Sequence, residues 1–367
     1  MIHTSVVSRI FLLLLAGLLS CKPPEVIEPV PEPEDITWEL HPEIRLDRRL
    51  QIQAKATFDR LWLLGNNYLL SLDPQHQLVS DELVAPRGNQ LWYRSFLSES
   101  YFATELTSKH VFELRNNYVP EQKARIDLRA LDPTIFEVNF YYNQPMAINS
   151  RGRLLVGGKR YSGNLGAGNG IPMFIFQTQQ AADSIEVKLE QKFEINQGIS
   201  NAAGSNYLTG VYAFGESFFF SNSENGFYQL QEGEEPELVL PLELVHMFRR
   251  NDTLFAMGYQ VNFSFGMGFL PPGDTQWQFR SFGNLDNGFL RFDAIENRII
   301  TFRGSQIWEI VPDPSYTSLN IRELNNRGLD QVTIHDIEAF QGRVYLCTER
   351  GLFFLPINDF FTFKPEE

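Results

Sequence analysis

A strand pattern that recurs about every 45 residues most constrains how this chain can fold. Each repeat has an apolar residue, a short turn, an apolar strand, a polar break and a second strand rich in apolar and aromatic residues. The last repeat is the clearest, with strands at Val344–Cys347 and Leu352–Leu355 after a turn at Gln341-Gly342. The strand that follows the turn begins at seven positions, 36 to 64 residues apart: Leu61, Tyr101, Leu154, Phe218, Leu254, Ile299 and Val344.

The spacing and the number of strands per repeat together indicate the fold class. Blades of a β-propeller contain four short strands in about 40–50 residues. Most repeats here continue into a further strand-like run, such as Ile185–Ile195, that would supply an outer strand. We therefore predict an all-β chain that forms a single β-propeller of seven four-stranded blades. The alternatives are a β-sandwich or two unrelated β domains, but unrelated strands have no reason to keep one period.

The two ends of the repeat region indicate how the ring closes. The run ITWEL, Ile36–Leu40, precedes the first repeat, whereas the last repeat lacks a clear outer strand. Propellers often combine strands from both chain ends in one blade, which removes a free sheet edge. We predict that the N-terminal strand pairs with the last blade. The alternative outer strand for that blade is Phe360–Phe363.

Residues 1–20 have the composition of a secretory signal peptide. Arg9 ends a short basic region, and the uncharged apolar run Ile10–Leu19 is too short for a stable membrane span. The sequence Leu18-Leu19-Ser20-Cys21 resembles a bacterial lipobox, with a small residue immediately before a cysteine. The resemblance implies cleavage before Cys21 and acylation of that cysteine, for example with palmitate. The alternative is an ordinary secretory signal followed by an incidental cysteine.

Residues 21–35 form a predicted tether behind that cysteine. Lys22–Asp35 contains five prolines and five acidic residues, a composition that buries little and favours an extended chain. The predicted domains are therefore a signal peptide over 1–20, a lipidated tether over 21–35 and a propeller over 36–367. These features predict an outer-membrane lipoprotein of a Gram-negative bacterium, facing either the periplasm or the cell surface.

Charge and motifs exclude several classes of function. The formal net charge of −14 argues against binding to nucleic acid, which is itself a polyanion. The histidines are isolated, and no zinc-type spacing of histidine or cysteine occurs. Cys347 lies within a predicted apolar strand, where a thiolate would be costly. We predict no catalytic, cofactor-binding or metal-binding residues, which leaves the lipidation site Cys21 as the single predicted site.

The unit VYLCTERGLFFLP, Val344–Pro356, resembles the short repeat of two-component-regulator-type propellers. In that repeat a strand ends in threonine and a Gly-Leu pair opens the next strand, as Thr348, Gly351 and Leu352 do here. A lipid-anchored propeller is also similar to the scaffold lipoprotein of the outer-membrane protein assembly machine. The resemblances imply the propeller fold and an envelope location.

Function is less constrained than fold. We predict a lipid-anchored, non-catalytic propeller of the cell envelope that binds a protein or a glycan, or acts as an assembly scaffold. The alternative is a carbohydrate-active enzyme, a glycosidase or lyase, with a pair of carboxylates in the central channel. A cluster of acidic and aromatic residues at one channel mouth would favour the enzyme.

Overall fold

The computed structural model describes residues 36–44, 53–65, 68–83, 94–105, 109–138, 146–160, 170–195, 208–222, 226–260, 264–283 and 291–364. The compact unit that contains the sheets is Thr37–Glu367. Within it, seven antiparallel sheets follow one another along the chain. The predicted seven-bladed β-propeller is confirmed, and a β-sandwich is not formed. The predicted signal peptide, Cys21 and the tether lie outside the described residues.

Blades 1 to 3 are numbered along the chain, and within each blade the strands run in order from the inner edge to the outer edge. The first strand of blade 3 consists of two pieces, β10 and β11, which both pair with β12. The strands are β2 Gln53–Ala56, β3 Leu61–Leu64, β4 Tyr68–Leu72, β5 Leu78–Leu83, β6 Arg94–Phe96, β7 Tyr101–Glu105, β8 Val111–Asn116, β9 Lys123–Asp127, β10 Ile135–Val138, β11 Met146–Ile148, β12 Arg153–Arg160, β13 Ile171–Gln180 and β14 Ile185–Ile195.

Blades 4 to 7 continue in the same order, and blade 7 takes its fourth strand, β1, from the start of the propeller. The strands are β1 Glu39–Leu40, β15 Leu208–Phe214, β16 Ser217–Asn222, β17 Phe227–Leu230, β18 Glu237–Leu240, β19 Glu243–Arg250, β20 Thr253–Tyr259, β21 Phe265–Leu270, β22 Gln278–Ser281, β23 Phe292–Ile295, β24 Arg298–Arg303, β25 Gln306–Pro312, β26 Leu319–Glu323, β27 Ile334–Phe340, β28 Arg343–Thr348 and β29 Gly351–Pro356.

The N-terminal strand closes the ring as predicted. Glu39 pairs with Phe354 and Leu40 with Phe353, so β1 lies against the free edge of β29. Only these two residues of the run ITWEL form strand. The alternative, in which Phe360–Phe363 completes blade 7, is wrong: Phe363 bridges to Leu324, just beyond the outer strand of blade 6.

Tight turns connect the first and second strands of several blades. In blades 5, 6 and 7 these turns are Asn251-Asp252, Glu296-Asn297 and Gln341-Gly342, and both residues of each pair have positive φ. Two-residue turns of this kind match the right-handed twist of the flanking strands. The second strand therefore starts directly after the turn, within one residue of each position predicted from the sequence.

The apolar core lies between neighbouring blades. One cluster joins Phe112 of blade 2 to Phe174 of blade 3, and another joins Phe255 of blade 5 to Trp308 of blade 6. Each sheet is thus buried on both faces, which explains why the middle strands are almost wholly apolar.

The described helices are two single turns, Leu128–Leu131 and Ile357–Phe360. The side chain of Asp127 caps the first by accepting hydrogen bonds from Arg129 and Ala130. Within the described part of the chain, no helix has the length and apolar character needed to cross a membrane.

Candidate functional site

A cavity of about 740 Å³ occupies the centre of the ring. Every blade contributes its first strand, or the turn after it, to the wall of this cavity. First strands of a propeller surround the channel because they are the innermost, and the space they leave is a common place for ligands. The central channel is therefore the candidate site.

The cavity extends toward one face of the ring. Its lining includes the turns after the first strands of blades 2 and 3, at Ser98–Ser100 and Asn149-Ser150. We call the ring face that carries these turns the first-turn face. In an antiparallel four-stranded sheet, the turn between the third and fourth strands lies on the same face. Turns of both kinds therefore lie on the ring face that carries the channel mouth.

Ionisable side chains are concentrated on one side of the cavity. Lys55 comes from β2 of blade 1, Asp293 from β23 of blade 6, and both Asp336 and Glu338 from β27 of blade 7. Asp336 and Glu338 are two residues apart, so they lie on the same side of one strand. Three carboxyl groups thus converge near one lysine, where the sequence alone could not show which acids meet.

Asp336 joins the last blade to the first. Its Oδ2 atom accepts a hydrogen bond from the backbone N–H of Ala54 at 2.8 Å. Burial raises the pKa of Asp336 to about 7, and the positive charge of Arg291 limits the rise. This carboxyl group consequently changes its charge near neutral pH.

The other two carboxyl groups are shifted in the same direction. Burial raises the pKa of Glu338, and Lys55 partly opposes this by favouring the charged form. Burial also raises the pKa of Asp293, whose Oδ1 accepts a hydrogen bond from the N–H of Ala294 at 2.6 Å. The cluster therefore holds protons at a pH where exposed carboxyl groups have none, so it can both donate and accept hydrogen bonds.

His246 lies on β19 of blade 5, next to the blade that carries Asp293. Burial, with smaller contributions from Arg291 and Lys55, lowers the pKa of His246 to about 3, so its ring is neutral. The ring meets Tyr212 edge-on at a centroid distance of 5.7 Å, and the Tyr212 hydroxyl donates to the carbonyl of Val245 at 3.2 Å. Tyr212 and His246 thus add an aromatic, uncharged surface to the cavity wall formed by blades 4 and 5.

Metal binding finds no support in the described part of the chain. No group of three or more histidine, cysteine, aspartate or glutamate side chains there is arranged to hold a metal ion. The carboxyl groups of the channel instead use backbone N–H groups and nearby cations as partners.

An exposed aromatic patch lies on the first-turn face. The side chain of Phe58, in the turn between β2 and β3, is 94% exposed. Tyr118 and Val119, in the turn between β8 and β9, are also exposed, and the Tyr118 hydroxyl donates to Oδ1 of Asp59 at 3.2 Å. A side-chain amide of Gln341 donates to the carbonyl of Phe58 at 3.3 Å. The backbone that presents Phe58 is thus held by blades 2 and 7.

The repeat pattern alone misassigns Phe58. It aligns this residue with apolar residues before the turns of other blades, such as Phe96, Ile295 and Phe340, which are buried. In blade 1 the last residue of the first strand is Ala56, and Phe58 falls in the turn. The turn of blade 1, residues 57–60, is two residues longer than those of blades 4 to 7, so Phe58 lies within it.

The structure bears differently on the two cysteines considered in the sequence analysis, Cys21 and Cys347. Cys21 lies outside the described residues, so its lipidation stays a prediction. Cys347 lies in β28, is completely buried and is not disulfide-bonded. Burial, with Asp336 and Glu338 nearby, raises the pKa of its thiol well above the usual range, which makes it a poor nucleophile.

Comparisons with known proteins support the fold. No protein family matches the sequence, and no protein with a curated description does. A streptogramin B lyase structure matches with a TM-score of 0.52 and 10% identity, covering 87% of this chain and 96% of that one. YCF48 from Cyanidioschyzon merolae matches with a TM-score of 0.51 and 12% identity, covering 87% and 98%.

An extracellular domain is also similar. The extracellular domain of the one component system BT4673 from B. thetaiotaomicron matches with a TM-score of 0.52 and 12% identity. The alignment covers 88% of this chain but only 39% of that one. This likeness agrees with the resemblance of Val344–Pro356 to two-component-regulator-type propellers. At such low identity the likenesses show the fold alone, so the conclusion from them is that the chain is a β-propeller.

Proposed function

We propose that this protein is a lipid-anchored binding propeller of the bacterial outer membrane, in which the channel mouth on the first-turn face binds a protein partner. Cys21 would carry the lipid and residues 21–35 would form the tether. The observation that carries the binding role is the cavity of about 740 Å³ with the exposed Phe58 on the same ring face.

The exposed aromatic patch supports a protein partner. Exposed aromatic residues held on a fixed backbone lose little conformational entropy on binding and often contribute strongly at protein interfaces. Phe58 fits this description because its turn is held by hydrogen bonds from blades 2 and 7. Among propellers of similar fold, YCF48 has been solved bound to the D1 peptide, at a TM-score of 0.50 and 13% identity.

Site-specific photo-cross-linking in the native membrane tests the proposal. A photoreactive amino acid would replace Ser150 at the channel mouth or, as a matched control, Lys188 on the outer strand β14, and both positions are exposed. We expect a discrete protein adduct from position 150 alone, and its loss when Phe58→Ser is added. A glycan adduct at position 150, or equal products from the two positions, would contradict a protein partner at the mouth.

A carbohydrate-active enzyme is the second candidate, because three carboxyl groups with raised pKa values converge in the channel. Glycosidases use a protonated and an ionised carboxyl group as a pair. The test is release of reducing sugar from a panel of envelope and plant polysaccharides. Activity that falls at least about 100-fold in both Asp336→Asn and Glu338→Gln would favour this candidate. No release by the unmodified chain would remove it.

A further inference from the structure

The segment that closes the ring, Thr37–Ile44, contains a buried histidine. We call this segment the strap. Trp38, His41 and Ile44 point into the protein and are almost completely buried. Beyond β1, the backbone N–H of His41 donates to the carbonyl of Leu352 at 2.8 Å, and that of Leu352 donates to the carbonyl of Ile44 at 3.1 Å. The strap thus contributes the outer edge of blade 7.

Both ring nitrogens of His41 have partners, and these partners assign its protonation state. Nε2 lies 3.2 Å from the carbonyl oxygen of His76, which can only accept, so Nε2 carries the proton. Nδ1 accepts a hydrogen bond from the backbone N–H of Glu43 at 3.3 Å, so Nδ1 carries no proton. A second proton on Nδ1 would face the Glu43 N–H and remove this hydrogen bond.

The surroundings also disfavour a charged His41. Burial lowers its pKa from 6.5, Arg343 lowers it further, and the His76 carbonyl and Glu43 act in the opposite direction. The neighbouring His76 has a lowered pKa as well, first from burial and then from Arg343, against Asp73. His76 Nδ1 lies 2.7 Å from the hydroxyl of Tyr345 on β28.

The titratable and charged groups near His41 come from each of the elements packed around it. Glu43 belongs to the strap, Asp73 and His76 to the end of β4 and the turn before β5, and Arg343 and Tyr345 to β28. The ring of His41 also meets Phe354 of β29 edge-on at 6.3 Å. Arg343 thus opposes a positive charge on both His41 and His76.

We propose that His41 makes the strap a proton-sensitive latch, in which proton uptake by this histidine releases Thr37–Ile44 from blade 7 and leaves the outer edge of β29 without its partner strand. Release exposes the His41 imidazole to water and separates it from Arg343. The free strap therefore binds the proton more tightly than the docked strap does. In sequence, the latch directly follows the predicted tether, which ends at Asp35.

The direction of the pH effect follows from the lowered pKa. The docked state is favoured fully above pH 6.5, the ordinary value for histidine, and the preference is lost as the pH falls from 6.5 through the lowered pKa. Each additional proton bound on release weakens docking by up to about tenfold per pH unit in that range. Global unfolding does not isolate this effect, since Asp336 and Glu338 of the same blade favour the folded state at low pH.

Hydrogen exchange measures opening of the strap separately from unfolding of the other blades. The full chain is followed by mass spectrometry at pH 7.5 and 5.5, with exchange times scaled for the intrinsic rate. We expect protection of the strap and of the Leu352 amide to fall by up to about tenfold at the lower pH, with β12 and β13 unchanged. Equal protection of the strap at both values would overturn the proposal.

Three variants sharpen the measurement. In His41→Asn the side-chain oxygen can accept from the N–H of residue 43, two positions on, but does not titrate. We expect its strap protection to be the same at both pH values, whereas His110→Asn on blade 2 keeps the dependence of the unmodified protein. Arg343→Gln removes the nearby cation and should shift release to lower pH. A full pH dependence in His41→Asn, or release at higher pH in Arg343→Gln, would contradict the role of His41.

Discussion

Asp336 on blade 7 and Ala54 on blade 1 are joined by a hydrogen bond of 2.8 Å between a carboxyl oxygen and a backbone N–H. The backbone of β2 faces the neighbouring blade with an unpaired edge, and this side chain satisfies one of its donors. An N–H left without a partner at such a seam would cost about 1–3 kcal/mol. The carboxyl group therefore has a structural role at the junction of the first and last blades, whatever the channel binds.

Replacement of Asp336 by asparagine should change the pH dependence of stability. Its pKa is raised from 3.8 to about 7 by burial, so its contribution to folding is present below pH 3.8 and is lost as the pH rises through 7. Asparagine keeps the acceptor oxygen but has no charge. We expect Asp336→Asn to match the unmodified protein near pH 4 and to exceed it by about 1–3 kcal/mol near pH 8.

Urea denaturation at a series of pH values measures this difference. Asp183→Asn, at an exposed position between β13 and β14, is the matched control. A variant that becomes less stable relative to the unmodified protein as the pH rises would show that the carboxylate at position 336 is stabilised rather than penalised.

Trp38 should anchor the strap through packing. It is 4% exposed, meets Phe360 edge-on at 5.9 Å and donates from Nε1 to the carbonyl of Asn325 at 3.3 Å. We expect Trp38→Ala to lower the free energy of unfolding by about 3–5 kcal/mol. Phe58→Ala also removes an aromatic ring, but from an exposed position, so its effect should stay within about 0.5 kcal/mol. Equal losses in the two variants, measured by thermal and urea denaturation, would refute this assignment.

Gly258 on β20 should tolerate no side chain. A Cβ atom there would lie 2.1 Å from the backbone carbonyl oxygen of Glu243, where β19 has an irregular register between Leu244 and His246. Since backbone must move to make room, we expect Gly258→Ala to cost about 1–3 kcal/mol or more. At Gly226 the nearest atoms belong to the ring of Tyr228, which can rotate away, and Gly226→Ala should cost less. The order of the two melting temperatures checks this.

Cys21→Ser tests the anchor. If the thiol of Cys21 carries the acyl chains, the variant should leave the membrane fraction almost completely, because each buried methylene contributes about 0.8 kcal/mol to attachment. Cell fractionation and mass spectrometry of the N-terminal peptide measure the outcome. Cys347→Ala removes the other cysteine of the chain and should remain membrane-bound. Retention of Cys21→Ser in the membrane would exclude lipid on this residue as the anchor.

The fold could be predicted from the sequence because each blade repeats one local pattern. Apolar second and third strands are buried between sheets in every blade, so their positions recur with the period, and Leu61 and Tyr101 begin strands as expected. The closing strand could be predicted as well, since a ring with an unpaired edge on its last blade needs a partner from elsewhere in the chain.

The channel cluster could not be predicted in the same way. First strands face the channel on one side only, and irregular register decides which residues do so: β27 shifts between Ile334 and Asp336, and β15 between Leu208 and Gly210. Such shifts break the alternation of inward and outward positions that sequence reading relies on. The convergence of Asp293 with Asp336 also depends on contact between blades, which no local pattern encodes.

The pairing of Glu39 with Phe354 has a consequence for biosynthesis. These residues are roughly three hundred positions apart, a separation at the long end for contacts within one domain. During synthesis and export β1 emerges before any blade exists, while its partner β29 follows the strands of the other six blades. Blade 7 can therefore be completed only after the other six blades have been delivered. Every premature product that ends before Gly351 lacks this partner, so a closed blade 7 requires that all seven blades have been made.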